Sequence, residues 1–157
     1  MLKTIDYSRL FADATVEVLA TFMEQPAEAG PLQEVKGPVP LLEVSVLLGI
    51  TGSMEGRLLL EFTEETALKL CEAMNFGEPF EELDDMAFAT LCELANLAGG
   101  RAITLLNDGG GSFSIAPPTI LCGKGMRASS AQAQSQVVPV ETEAGTIIVN
   151  VCVARKA

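Results

Sequence analysis

Apolar positions recur along the chain with two different spacings, and each change of spacing marks an element boundary. In residues 6–25, Leu10, Phe11, Ala14, Val18 and Phe22 fall near one face of a 3.6-residue repeat. That spacing predicts an amphipathic helix, ended by Pro26 and Gly30-Pro31. A Pro/Gly-rich connector then runs through Pro38 and Pro40. Residues 41–48 (LLEVSVLL) and 57–62 (RLLLEF) have the length and apolar content of strands, and the Gly-containing stretch between them predicts a hairpin. Thr63 followed by Glu64 and Glu65 offers a capping hydroxyl and then carboxylates at the positive end of a helix dipole. A short helix is expected from there to about Asn75, with Gly77 as its left-handed C-terminal cap.

A second long helix is predicted from near Asp84 and Asp85 to about Asn107, where Gly109, Gly110 and Gly111 break it. Phe113 to Ile115, the Pro117-Pro118 pair and Ile120 to Cys122 follow. Residues 123–135 are small and polar and suit a loop or a weak strand. Val137 to Glu141, a turn around Glu143-Ala144-Gly145 and the β-branched run Thr146 to Val153 close the chain as a hairpin. The series of long helix, Pro-containing connector and strand pair thus occurs in residues 6–62 and again in 84–153. It predicts a two-layer α/β fold with a pseudo-two-fold repeat, both long helices packed on one face of a mainly antiparallel sheet. At 157 residues, a single domain over 1–157 is expected.

Composition narrows the chemistry. Hydrophobic residues are 48% of the chain and charged ones 20%, a surplus of apolar side chain that predicts a further buried surface such as a subunit interface. The formal charge of -11 repels polyphosphate and anionic lipid, so nucleic-acid and membrane-surface roles are set aside. The basic residues, scattered from Lys3 to Lys156, form no dense cluster. Absence of histidine removes Ser-His-Asp and Cys-His catalysis and His-ligated zinc together. Cys71, Cys92, Cys122 and Cys152 lie far apart in apolar runs, which predicts buried, reduced thiols and a cytoplasmic protein. Asp6, Asp13 and Glu17 occupy the place of a signal peptide's apolar stretch, and Glu43 and Glu61 interrupt the longest apolar runs, so no membrane span is expected.

The second long helix carries the candidate chemistry. Its polar residues are confined to one narrow line: at 3.6 residues per turn Glu93, Asn96, Gly100, Thr104 and Asn107 fall together, with Ala89 extending the line toward the N-terminus. A Glu and an Asn at i, i+3 are commonly no more than a solvated face. Gly99 and Gly100 ask for a reason, because glycine inside a helix costs about 1 kcal/mol relative to alanine. Close helix packing accounts for Gly99 as well as function does.

The segment Glu93-Leu94-Ala95-Asn96-Leu97-Ala98-Gly99-Gly100-Arg101-Ala102, followed by Ser114-Ile115-Ala116-Pro117-Pro118-Thr119, resembles the signature of the CheC/CheX/FliY chemotaxis phosphatase family. Residues 41–62 also resemble that family's first hairpin. The likeness departs at Ala89, where family members often have Asp or Ser. CheC-like members carry the ExxN pair on both long helices and CheX-like members only on the second. Here the first helix has Asp13, Glu17 and then Ala20 where asparagine would be needed, so the likeness is to the CheX-like group and implies a homodimer.

The resemblance implies a phosphatase acting on the aspartyl phosphate of a phosphorylated CheY-like response regulator. Asn96 would orient the attacking water, and Glu93 would pair with the regulator's active-site lysine. Mg²⁺ would belong to the regulator, with no cofactor or metal on this chain. Two rivals remain at this point. One is a non-catalytic adaptor that binds response regulators, related to flagellar switch proteins. The other is a purely structural dimer, in which Glu93 and Asn96 would pair with neighbouring side chains of their own protein.

Overall fold

The computed structural model describes residues 6–130 and 134–155; Lys3, Lys156 and residues 131–133 of the expected 123–135 loop lie outside them. Helix α1 spans Tyr7–Leu19 and is capped by Asp6, whose carboxylate accepts from the Arg9 N–H at 3.0 Å. It stops six residues short of the expected end. The backbone tightens there into i→i−3 bonds, Thr21 N to Val18 O and Phe22 N to Leu19 O, while the Thr21 hydroxyl also donates to Val18 O.

Short strands β1 (Glu28–Ala29), β2 (Gln33–Val35) and β3 (Val39–Pro40) follow, then the long hairpin β4 (Val44–Gly52) and β5 (Glu55–Phe62). Helix α2 (Glu64–Met74) begins as its sequence predicts. The Thr63 hydroxyl accepts from Thr66 N at 3.1 Å, and Glu43 reaches across to accept from Glu64 N at 2.9 Å. The 24-residue α3 (Asp85–Asp108) is capped by Asp84 through Ala87 N at 2.8 Å. The second half ends with β6 (Phe113–Ile115), β7 (Thr119–Cys122), β8 (Arg127–Ala128) and the hairpin β9 (Ser135–Thr142) and β10 (Gly145–Ala154).

The sheet is antiparallel throughout, in the order β1-β9-β10-β5-β4-β6, with β2 also on β9 and β7 also on β4. The predicted two-fold-like repeat is present, and the two halves interleave. The short strands of the first half pair with the hairpin of the second, and those of the second with the hairpin of the first. Strands β5 and β10 meet at the centre, while β3 and β8 form a separate two-stranded ribbon.

Register shows the same device twice. From Ile115 to Thr119 four steps of chain face three steps of β4, Ile50 to Leu47; from Ala29 to Gln33 four steps face three steps of β9, Val140 to Val137. Each edge therefore carries a one-residue bulge, next to Pro31 in one half and Pro117-Pro118 in the other, where a missing N–H is tolerated. The Gly30 N–H donates to Pro139 O at 2.7 Å, and its counterpart Ala116 donates to Gly49 O at 2.9 Å. The Pro/Gly-rich stretch expected to be a plain connector is thus strand-bulge-strand.

Alternate residues of the four long strands face the helices. Val46, Leu48, Leu58, Leu60, Val138, Val149 and their neighbours are buried against Phe11, Leu19, Leu91 and Leu94. Each such fully buried side chain contributes about 1.5–3 kcal/mol. Helices α1 and α3 pack together and share one face of the sheet, as the repeat predicts, and α2 docks on α3.

The opposite face holds a polar cluster that the pattern of apolar residues gave no sign of. Glu61 accepts from Leu42 N at 3.1 Å and from Asn150 Nδ2 at 3.0 Å; Asn150 Oδ1 accepts from Arg57 Nη1 at 3.0 Å; Arg57 Nη2 donates to Ser135 Oγ at 3.1 Å. Glu61, Asn150 and Ser135 are buried, and among the described residues no buried side-chain polar atom lacks a partner. Burial pushes the Glu61 carboxyl above its ordinary range, opposed in part by these hydrogen bonds and by the Arg57 charge.

The cysteines need one correction. Cys71 and Cys152 are buried, and burial pushes the Cys71 thiol up to about 11. Cys92 is half-buried, and Cys122 is exposed because it ends β7 at the rim of the sheet. No helix among the described residues is long and apolar enough to cross a membrane.

Candidate functional site

Helix α3 is held by its small and aliphatic residues. Ala87, Leu91, Leu94, Ala95, Ala98 and Ala102 are buried against α1, α2 and the sheet. The line opposite them stays out: Ala89, Glu93, Asn96, Thr104 and Asn107 are exposed and Gly100 is partly so. Glu93 and Asn96 therefore stand side by side on the outer surface, about 5–6 Å apart at Cβ as i, i+3 neighbours. Neither makes a hydrogen bond or ion pair with any described residue, in contrast to the structural-dimer expectation that they would pair within the protein.

The two helical glycines differ. A methyl group on Gly99 would meet Ile115 Cδ1 and Leu48 Cδ1, each at 3.3 Å, so this glycine lets α3 settle onto β4 and β6. A methyl group on Gly100 would meet nothing within 4 Å. Packing accounts for the first glycine and leaves the second, on the same line as Glu93 and Asn96, without an internal reason.

Other members of the stripe are occupied. Thr104 donates to Gly100 O at 2.9 Å. Asn107 binds the Phe113 backbone from both sides, accepting from its N–H at 2.8 Å and donating to its carbonyl at 3.1 Å, which fixes the start of β6. The corresponding place on α1 is doubly unsuited to the same chemistry. Glu17 is paired with Arg101 of α3 at 3.1 Å, and Ala20 is the residue at which α1 ends.

A shallow groove of about 260 Å³ opens beside Glu93, lined by Phe22, Met74, Asn75, Ala89, Thr90, Glu93 and Leu97. The sequence reading missed this groove, since it joins the C-terminal ends of α1 and α2 to the flank of α3. Its one legible trace was the small residue at position 89. Among the described residues no group of three or more His, Cys, Asp or Glu is arranged to hold a metal ion.

An exposed carboxylate and an exposed amide, unpartnered on a rigid helix, are suited to entering another molecule's site: the amide both donates to and accepts from a water, and the carboxylate binds a cation. Residues 44–141 match the family model for the chemotaxis phosphatase CheX. Over 84 residues the chain is 37% identical to the CheY-P phosphatase CheX of Thermotoga maritima, a match that spans 54% of each chain, so about half the length of that relative.

Among solved structures, the CheX-CheY-BeF3-Mg+2 complex of Borrelia burgdorferi matches at 32% identity with a TM-score of 0.78, covering 98% of this chain and 100% of that one. A chemotaxis protein CheX from Desulfovibrio desulfuricans matches at 25% identity with a TM-score of 0.84, covering 96% and 100%. With the ExxN helix, the interleaved repeat and these matches agreeing over most of its length, the chain belongs to the CheX family of chemotaxis phosphatases.

Proposed function

We propose that this protein hydrolyses the aspartyl phosphate of a phosphorylated CheY-like response regulator, with Asn96 orienting the attacking water and Glu93 holding the partner. The observation that carries the reading is the pair itself, exposed and unpaired on the outer face of a helix whose other face is buried. The activity of the Thermotoga relative and the CheY-bound state of the Borrelia relative support it.

In the reaction, water attacks phosphorus in line with the bond to the aspartyl oxygen. That bond breaks, its electron pair stays on the leaving carboxylate, and the proton lost by water ends on phosphate or solvent. Little covalent work is asked of the catalyst, and positioning supplies most of the effect. A neutral amide holds the water without bringing negative charge to the phosphoryl oxygens. Mg²⁺ and the lysine that neutralise those oxygens belong to the regulator, and the lysine is the partner of Glu93. The reaction is placed in the cytoplasm, where the regulator and reduced thiols coexist.

The test is phosphate release from the cognate phosphorylated regulator, with and without this protein. Acceleration at substoichiometric protein supports the phosphatase, whereas binding with no faster release means an adaptor. Gly100→Ala adds a second readout. The free protein should become more stable by up to about 1 kcal/mol, because the helix gains alanine where nothing obstructs it. Turnover should fall severalfold if the regulator rests against that line, as thermal melts and phosphate release together would reveal.

The protein is further proposed to be a homodimer, on the strength of its apolar surplus and its family. Light scattering should give twice the chain mass of 16.6 kDa.

A further inference from the structure

We infer that Phe76 is a docking residue for the response regulator, inserting into an apolar socket beside the regulator's phosphoryl site and setting affinity rather than rate; this rests on the phosphatase reading above.

Phe76 has φ of +58°, and among the described residues it is the one non-glycine residue with positive φ. It is also fully exposed. A bulky aromatic in the left-handed region is strained, and a phenyl ring left in water loses its burial energy, so both features disfavour the free protein. The turn is nonetheless held firmly. Asn75, the preceding residue, donates through Nδ2 to Cys71 O at 2.7 Å and to Thr90 Oγ1 at 3.0 Å, which ties the end of α2 to α3 one turn before Glu93. Asn75 and Glu93 line the same groove.

The remaining exposed large apolar side chains among the described residues are Met86 and Leu97. Both belong to α3, Met86 seven residues before Glu93 and Leu97 four after it, so all three gather around the candidate site. Charge identifies the occupant. No Lys or Arg occurs between Lys69 and Arg101, and Arg101 is paired with Glu17, whereas Glu78, Glu81, Glu82 and Asp84 line a hollow together with Met86, and Glu72 and Asp85 are also exposed. A second copy meeting this face would set carboxylates against carboxylates, and an anionic lipid surface would be repelled. The regulator of the proposed reaction brings a lysine to this face, the one already assigned to Glu93, so it is the occupant that offers a cation where carboxylates stand. An aromatic anchor inside a charged rim is the usual composition of a binding hot spot.

Phe76→Gly relieves the strained φ, so its thermal midpoint should equal or exceed that of the wild type. Affinity for the beryllium-fluoride-loaded regulator, read by titration without turnover, should fall at least tenfold. KM should rise in step while kcat at saturation is unchanged, and Phe76→Tyr should restore most of the affinity. Wild-type affinity in Phe76→Gly overturns the inference and leaves the phosphatase reading standing. Normal binding by the wild type without faster phosphate release overturns the phosphatase reading, while the titration still decides the role of Phe76. A change in oligomeric state with regulator affinity intact means that a second copy is the occupant, and also overturns the inference.

Discussion

Replacing Asn96 with alanine should slow phosphate release from the regulator by about 100-fold or more while leaving the affinity for it nearly unchanged. A factor of 100 corresponds to about 2.7 kcal/mol of transition-state stabilisation. One well-placed amide can supply that when the rest of the reaction centre comes from the partner. Because Asn96 is exposed and touches no described side chain through a hydrogen bond, the substitution should not unfold the helix. Alanine is the better helix former, so stability should hold or rise by a few tenths of a kcal/mol.

Glu93→Ala should behave differently, raising KM and lowering kcat together, since loss of the ionic contact loosens the docked complex in which the amide is aligned. Single-turnover phosphate release at saturating protein, beside titration with a beryllium-fluoride-loaded regulator, separates the two effects. Full turnover in Asn96→Ala would remove the assignment.

The second large effect is expected far from that surface. Glu61→Ala should destabilise the protein by about 2–4 kcal/mol, chiefly because it leaves Leu42 N–H and Asn150 Nδ2 without acceptors. Turnover per folded molecule should be unaffected.

The same carboxyl gives a pH dependence. Its folded pKa is raised above the ordinary 4.5, chiefly by burial, so the folded state holds the proton more tightly than the unfolded chain does. The favourable contribution is complete below the ordinary value and is lost as pH rises through the folded one. Relative to Glu61→Gln, which cannot titrate, the wild type should therefore gain stability as pH falls from neutrality toward 4.5 and level off below it. Denaturant titrations at several pH values would reveal a reversed slope if the sign is wrong.

Much of this structure could be read from residue order, and the parts that could not share a cause. Thr63 with two glutamates announced α2 to within a residue, since capping is local chemistry. The polar line on α3 was visible because the helix buries one full face, although less of its circumference is covered than its apolar content suggests: Met86 and Leu97 are exposed. The strands around Gly30-Pro31 were hidden, because their pairing is decided by β9, more than a hundred residues away. The counterpart around Pro117-Pro118 was easier to notice only because β-branched and aliphatic residues flank it.

The Glu61 cluster and the exposed Phe76 were missed for a related reason. A lone Glu in an apolar strand and a lone Phe beside a glycine look ordinary until the neighbours assembled from distant segments are known. For the candidate site, the pair itself was legible and the groove beside it was not, since segments of three helices build it.

The exchange of edge strands between the halves has one more implication. The first half carries no reacting pair, with Glu17 bound to Arg101 and Ala20 closing α1, yet its β4 is the surface on which β6 and β7 are laid, and β6 is where Asn107 and Gly99 fix the outlook of α3. The half without an ExxN pair therefore serves as the jig that sets the outlook of the other half's helix. Its side chains can stay silent at that surface, but its backbone cannot be missing.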